Sequence, residues 1–173
     1  MKHSKIMGGM LTLLVLMSLG YFGVRQYRDG KAPDKISAVA ATSKDGLPEQ
    51  LFRQVASDEP AWYRTCGSRL DTFKKVMTIA AVDLNDDGRA EYVVQAADDY
   101  YCGSGGCSFY IYRYRSPRFV RIGEDFGRYA GISDTLHHGF RDIVNEVRDY
   151  SRDDGGSAES IVTLKYTGSR YVR

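Results

Sequence analysis

The chain has 173 residues, a formal net charge of +2 and 43% hydrophobic residues. This length accommodates one domain with a short appendage, and it excludes an eight-unit βα barrel or a two-domain nucleotide-dependent enzyme. Residues 1–24 contain two of the 24 basic residues, so the remainder carries 22 basic and 22 acidic side chains. A neutral body argues against nucleic-acid binding, because counterion release requires a net basic face.

An uncharged segment near the N-terminus predicts export. The nineteen residues 6–24 contain no charged side chain and follow the basic residues Lys2 and Lys5. The segment is long for the apolar part of a signal peptide and just long enough to span a bilayer, so residues 1–24 are interpreted as a signal peptide or a membrane anchor. We therefore expect the body to be exported, either periplasmic or anchored to the outer face of the cytoplasmic membrane, with this segment as its one membrane contact.

The rest of the chain predicts a linker followed by one domain. Residues 25–46 are polar with Asp-Gly turn signals, which indicates a linker. Residues 47–57 place apolar side chains at helical spacing and predict one short helix, whereas residues 69–75 fit either a helix or a strand. Residues 47–173 are expected to form a single mainly β (α+β) domain, in which the helix packs on an antiparallel meander of about seven strands. Strands are predicted at 76–84, 91–97, 108–115, 118–122, 140–148, 160–166 and 171–172.

An acidic loop lies between the first two predicted strands. In the segment DLNDDGRAE, oxygen-bearing side chains occupy the first, third, fifth and ninth positions: Asp83, Asn85, Asp87 and Glu91. Gly88 permits a sharp turn, and the backbone carbonyl of Arg89 would add one more oxygen. Calcium is bound by about six to eight hard oxygen ligands, some of them from water. The loop therefore predicts a calcium site, and a metal-free turn rich in Asp and Asn is the alternative.

The spacing of this loop differs from that of an EF-hand, because its twelfth position is Val94 instead of a bidentate Glu. It resembles the calcium loop of FG-GAP and VCBS repeats, with the pattern DxDxDGxxD/E. Asn85 departs from that pattern and lowers the ligand charge by one. Together with CGSGGC, an aromatic strand and GFRDIV, the loop makes residues 76–173 similar to small exported bacterial proteins with a single such hairpin. The resemblance implies an extracytoplasmic β fold, a structural ion and no catalytic chemistry.

The cysteines also favour export. Cys102 and Cys107 bracket GSGG, whose small residues let the chain fold back so that the two sulfurs can meet. In an oxidising compartment this predicts a disulfide that fixes a loop tip. A zinc site that adds His137 and His138 is the weaker alternative, because adjacent histidines seldom reach one ion. Cys66 is predicted to be free and buried, and its pairing with Cys102 or Cys107 is the alternative.

The strand predicted at 108–115 carries a stripe of tyrosines. Tyr110, Tyr112 and Tyr114 share one face by the period of two, while Phe and Ile occupy the other face and are expected to point into the core. With Arg113 and Arg115 nearby, the stripe predicts a protein-binding interface. The alternative is an aromatic face that the helix at 47–57 covers.

These features predict an exported, non-catalytic binding protein of the inhibitor or immunity type, with an envelope protein as its partner. The segment TGSRY at 167–171 superficially resembles the S-G-x-x-Y loop of periplasmic lysozyme inhibitors, although a hairpin turn also explains it. A structural calcium-binding envelope module without such a partner is the alternative function. A hydrolase ranks third, because the sequence lacks G-x-S-x-G and H-E-x-x-H motifs. Its one candidate acid–base group is His137 and His138 beside Asp134 and Asp142.

Overall fold

The computed structural model describes residues 36–37, 44–99, 101–149 and 157–173. The predicted export segment at 1–24 and most of the predicted linker at 25–46 lie outside the described residues. None of the helices in the described ranges combines the length and the apolar character needed to cross a bilayer.

Three short α-helices precede the main sheet, where the sequence predicted one. The first buries Leu51, Phe52 and Val55 on one face, as its helical spacing indicated. The other two have six residues each, which is too short to display a helical period. The last of them shows that the segment at 69–75, which fitted either a helix or a strand, is a helix. After a 3₁₀ turn at Lys44–Gly46, the helices are α1 (Glu49–Asp58), α2 (Pro60–Thr65) and α3 (Leu70–Lys75).

The described strands form one antiparallel sheet, so the predicted mainly β fold is confirmed. The sheet order is β2-β3-β5-β6-β7-β8-β9, while β4 forms a hairpin with β5 and β1 pairs with β6. Apart from β4, which lies between β3 and β5 in the chain, neighbours in this order follow one another in sequence, as in the predicted meander. The strands are β1 (Ile36–Ser37), β2 (Met77–Val82), β3 (Glu91–Ala96), β4 (Cys102–Gly103), β5 (Gly106–Arg115), β6 (Arg118–His137), β7 (Phe140–Asp149), β8 (Ala158–Tyr166) and β9 (Tyr171–Val172).

The sixth strand is the largest departure from the predicted elements. β6 has 20 residues and continues to His137, whereas the sequence predicted that it ends at residue 122. Its first half pairs with β5 and its second half pairs with β7. Register shifts in both ladders let one strand serve two partners. Glycines at 123, 127 and 131 interrupt the alternation of side chains, and this hid the second half of the strand.

Strands β2, β3 and β5 are covered on both faces by two hydrophobic clusters. The first cluster lies between the sheet and the helices and includes Leu51, Phe52, Trp62, Phe73, Tyr110 and Tyr112. The second cluster lies on the other face and includes Phe109, Ile111, Phe140, Leu164, Tyr166 and Tyr171. The sheet curls around the second cluster, and this brings Tyr171 of β9 directly against Gly123 of β6. At the same side, Arg173 pairs with Asp125 of β6 at 2.5 Å.

Polar contacts attach the helices to the sheet. The hydroxyl of Tyr112 donates a hydrogen bond to Oδ2 of Asp58 at the end of α1, with a distance of 3.1 Å. Nη1 of Arg121 on β6 lies 2.6 Å from Oε1 of Glu59, between α1 and α2. These contacts join residues more than fifty positions apart, so they fix the helical layer on the first cluster.

Candidate metal centre

The predicted calcium loop connects β2 to β3. The carboxylate of Asp83 organises the turn: its Oδ1 accepts hydrogen bonds from the backbone N–H of Asn85 (3.3 Å) and of Asp87 (3.2 Å). Its Oδ2 accepts a hydrogen bond of 2.7 Å from the N–H of Gly88. Gly88 has a φ of +80°, which a glycine adopts without a steric cost. The loop sequence therefore folds its acidic positions around one tight turn.

Asp87 is oriented within the same turn. Its Oδ1 accepts a hydrogen bond from the backbone N–H of Arg89 at 2.9 Å. Its Oδ2 accepts hydrogen bonds from the side-chain amide of Asn85 at 3.0 Å and from Nη2 of Arg113 at 2.7 Å. The hydrogen bond from Asn85 is the largest of the effects that lower the pKa of Asp87, and those from Arg89 and Arg113 act in the same direction. Asp87 is therefore held as a carboxylate.

Glu91 begins β3 and is buried, with 1% of its surface exposed. Its Oε2 accepts a hydrogen bond of 2.9 Å from the backbone N–H of Leu84. Its Oε1 lies 3.3 Å from Nε of Arg113 as an ion pair, yet it receives no directed hydrogen bond from the described residues. Burial raises the pKa of Glu91, although the Leu84 amide and the charge of Arg113 oppose that effect. A buried carboxylate oxygen with unused acceptor capacity is costly, and a cation would satisfy it.

A second oxygen of the loop shares this property. Oδ1 of Asn85 is buried and has no hydrogen-bond partner within the described part of the chain, while its amide nitrogen donates to Asp87. Asn85 and Glu91 occupy the third and ninth positions of the predicted ligand set. Two unsatisfied oxygen acceptors in one acidic loop match the hard donors that calcium prefers.

The ligands do not form a preassembled cage. Across the described ranges, no three or more His, Cys, Asp or Glu side chains are clustered so that they could hold a metal. Asp83 and Asp87 direct oxygens to backbone amides of the turn, and Arg113 stands against Asp87 and Glu91. An ion that binds here must take these carboxylates from their present partners.

Arg113 of β5 is the first of two loop partners that the sequence analysis missed. The pairing of β3 with β5 sets Tyr92 opposite Tyr112, which brings Glu91 next to Arg113. The guanidinium carbon also lies 5.0 Å from the centroid of the Phe140 ring. A cleft of about 330 Å³ opens at this place, lined by Asp87, Arg89, Ala90, Glu91, Arg113 and Tyr114. An ion can therefore approach the loop from solvent.

Arg141 of β7 is the second missed partner. Its Nη2 pairs with Oδ1 of Asp86 at 2.8 Å, and its Nη1 donates a hydrogen bond of 3.2 Å to the carbonyl of Asp83. Its backbone N–H donates to the carbonyl of Leu84 at 2.8 Å. No local signal could have revealed either arginine, because both contacts depend on how distant strands meet.

The predicted disulfide is confirmed. Cys102 and Cys107 are bonded to each other and face one another across the β4–β5 hairpin, with Gly103 and Ser104 exposed at its tip. Both thiols are used in this bond, so they cannot ligate zinc in this state. Cys66 is free as predicted, but it is half-buried and not fully buried.

The interface predicted on β5 does not extend to Tyr110 and Tyr112. These side chains are 6% and 0% exposed and pack in the first cluster beneath the helices, so the covered alternative is correct for them. Burial raises the pKa of both phenols. Tyr114, near the end of the strand, is 37% exposed, and Arg115 is exposed as well. Arg113 lies on the other face and joins the acidic loop.

The histidines of the candidate acid–base group lie at the hairpin between β6 and β7. Nδ1 of His137 lies 2.7 Å from Oδ1 of Asp142, whose side chain is 3% exposed. His138 and Gly139 form the turn between β6 and β7, with φ values of 49° and 78°. The pair thus links the two strands at their turn, which is a structural task.

The segment that resembles an inhibitor loop is the β8–β9 turn. Oγ1 of Thr167 donates a hydrogen bond of 2.9 Å to the carbonyl of Arg170, and this closes the turn locally. Tyr171 is 3% exposed, and its hydroxyl donates to the carbonyl of Arg141 at 2.8 Å. The tyrosine of this segment therefore belongs to the second cluster.

Comparison of the chain with protein-family models, with curated proteins and with solved structures finds no match.

Proposed function

We propose that this protein is a non-catalytic β domain of the cell envelope, which binds one calcium ion in the β2–β3 loop and uses it as a structural element. One observation carries the proposal: at two predicted ligand positions, the buried oxygens Oδ1 of Asn85 and Oε1 of Glu91 receive no hydrogen bond from the residues that the structure describes. Carboxylate oxygens of Asp83 and Asp87 and the carbonyl of Arg89 would complete the protein ligands, with water beside them. The resemblance to FG-GAP and VCBS loops, which rests on these loop residues, supports the same assignment.

The position of the loop supports a structural role for the ion. Asp83 follows β2 and Glu91 starts β3, so an ion held by both would fasten the two strands at the end where the loop joins them. A ligand that binds the folded state and not the unfolded chain raises the free energy of unfolding by mass action. The envelope assignment rests on the uncharged segment at 6–24 and on the disulfide, which is typical of oxidising compartments.

Thermal unfolding of the full chain with calcium or with a chelator tests the proposal. Calcium should raise the melting temperature, because a concentration about 100-fold above Kd adds about 2.7 kcal/mol to the free energy of unfolding. Asp87→Asn keeps the size of the side chain and removes its charge, and it should abolish most of this rise. Asp99→Asn makes the same change at an exposed position outside the loop and should preserve the rise. Identical melting of the wild-type protein in calcium and in chelator would contradict calcium binding.

Recognition of an envelope partner is a second proposal, and one observation favours it. The disulfide holds an exposed tip at Gly103 and Ser104. Phe126, which pairs with Ser108 on the adjacent strand, is 44% exposed close to that tip. A braced tip loses little conformational entropy on binding. A photo-crosslinker at Ser104 should capture one defined protein in envelope preparations, whereas the same group at exposed Arg115 should not; equal labelling from both positions would contradict this role.

A further inference from the structure

One guanidinium contacts two of the three acidic ligand positions of the loop. Nη2 of Arg113 lies 2.7 Å from Oδ2 of Asp87, and its Nε lies 3.3 Å from Oε1 of Glu91. The side chain of Arg113 is 25% exposed and that of Glu91 is 1% exposed. Ion pairs in such partly buried surroundings are screened less by salt than pairs on an open surface. Arg113 therefore acts as an internal counter-ion for the carboxylates of Asp87 and Glu91.

Arg141 offers a direct contrast within the same loop. It pairs with Asp86, which is not a ligand position, and it contacts Asp83 through the backbone carbonyl and not through the carboxylate. Arg141 thus brings the same positive charge close to the loop without contacting a ligand carboxylate. The two arginines have similar exposure, 25% and 31%, so they differ chiefly in which oxygens they contact.

We propose that Arg113 competes with calcium for Asp87 and Glu91 and thereby sets the calcium affinity of the loop; this inference rests on the proposed function. A calcium ion draws the oxygens of both carboxylates toward itself, so its binding must break or lengthen the two contacts with Arg113. The energy of those contacts is subtracted from the energy of ion binding, which weakens the apparent affinity. Without calcium, the same contacts neutralise the acidic loop and keep it folded.

The competition also sets the range of calcium concentrations in which the loop binds the ion. Calcium sites in extracellular modules have Kd values of about 10⁻⁴ to 10⁻³ M, well above those of intracellular sensors. An internal competitor and a neutral Asn85 in place of an acidic ligand both shift the affinity toward that weak range. The structure thus assigns to Arg113 the role of an affinity-determining residue that does not itself bind the ion.

Release of the carboxylates does not require Arg113 to leave its place on the sheet. Its guanidinium is stacked on Phe140, and its side chain borders the cleft beside the loop. A cation over an aromatic face keeps a favourable interaction there. The contact with Phe140 therefore favours retention of Arg113 beside the loop when an ion displaces it from Asp87 and Glu91.

Calorimetric titration of the full chain with calcium chloride, after removal of metal with a chelator, tests the competition. Arg113→Gln removes the charge and leaves a shorter polar side chain. We expect it to bind calcium about tenfold more tightly than the wild type, since it removes two charge-assisted contacts that calcium must otherwise break. The same variant should melt at a lower temperature in chelator. Arg141→Gln makes an equal change of charge and should not tighten binding by more than about twofold, although it should also melt earlier.

A second variant keeps the test independent of folding problems. Arg113→Lys retains the charge but cannot contact both carboxylates with a planar fork. It should fold and should bind calcium more tightly than the wild type, by less than Arg113→Gln does.

The outcomes separate the competition from the calcium proposal. If the wild type binds calcium and both Arg113 variants bind it equally or more weakly, the competition is wrong while the calcium proposal stands. Tightening of the same size in Arg141→Gln would also overturn the competition, because it would show a general charge effect. Binding by Arg113→Gln without binding by the wild type would support the competition and overturn calcium loading of the native protein. No binding by any variant would overturn both.

Discussion

Replacement of Tyr112 by alanine tests the covered face of β5. The side chain is 0% exposed and packs in the first cluster, and its hydroxyl donates to Asp58 at 3.1 Å. Truncation of a large buried aromatic side chain costs about 3–5 kcal/mol, because it leaves a cavity that the surroundings fill only in part. The hydroxyl contributes about 1 kcal/mol of this, so Tyr112→Phe should cost only that smaller amount.

Thermal and denaturant unfolding of the variants would measure these differences. Tyr112→Ala should lower the melting temperature by about 10–20 °C for a domain of this size. Tyr114→Ala provides a matched control, since it makes the same change on the same strand and face but at a residue that is 37% exposed. It should cost about 1 kcal/mol or less, because the exposed ring buries less surface, and its contact with the Phe119 ring at 5.2 Å is lost.

The alanine variants of the two tyrosines together test the difference in burial between these side chains. If Tyr112→Ala melts within about 2 °C of the wild type, its side chain is not packed under the helices. The interface predicted from the sequence would then apply to it after all. Equal losses at both positions would contradict the difference in burial on which the magnitudes rest.

Three further predictions concern the backbone, the disulfide and the pH dependence. Gly106→Ala should leave the chain unfolded or aggregated, because Gly106 has a φ of +131° and a Cβ there would overlap the backbone of Gly127. Gly103→Ala is the control and should melt like the wild type, since its added Cβ has no atom within 4 Å. Equal solubility and melting of the two variants would contradict the close approach of Gly106 to Gly127. Serine at both Cys102 and Cys107 should lower the free energy of unfolding by about 2 kcal/mol in denaturant titrations, as expected for so short a closed loop, and an unchanged midpoint would refute this. Because burial raises the pKa of Tyr112 above the ordinary tyrosine value of about 10, its contribution to stability should be complete below that pH and should be lost as the pH rises further. Tyr112→Phe should reduce this alkaline loss, and the denaturation midpoint followed against pH would show whether it does.

The tight acidic turn between β2 and β3 could be predicted from the sequence because its oxygen-bearing residues are local. Nine consecutive residues contain the ligand positions, and Gly88 permits the turn that joins them. The contacts of Arg113 and Arg141 could not be predicted, since they depend on strand register and on the curl of the sheet. The sequence thus indicated which oxygens belong to the loop, but not which arginines pair with its carboxylates.

The alternation along β5 correctly separated its two faces. It predicted a core on the face of Phe109 and Ile111, whereas the tyrosine face is buried as well. The burial of the tyrosine face depends on α1, α2 and α3 together, and the pattern predicted α1, left α3 undecided and did not indicate α2. In the same way, the glycines of β6 concealed a strand whose length is set by its two partners.

The curl of the sheet has a consequence for folding kinetics. Most strand pairs from β5 to β8 are joined by turns, so their contacts are close in sequence and need little loop closure. The contacts that close the curl are distant: Arg173 reaches Asp125, and the N–H of Arg141 reaches the carbonyl of Leu84. Closing those long loops costs more chain entropy before any contact compensates for it. We therefore expect the hairpins to form early and the closure of the curl to be the slow step, so that the loop between β2 and β3 reaches its final surroundings late in folding.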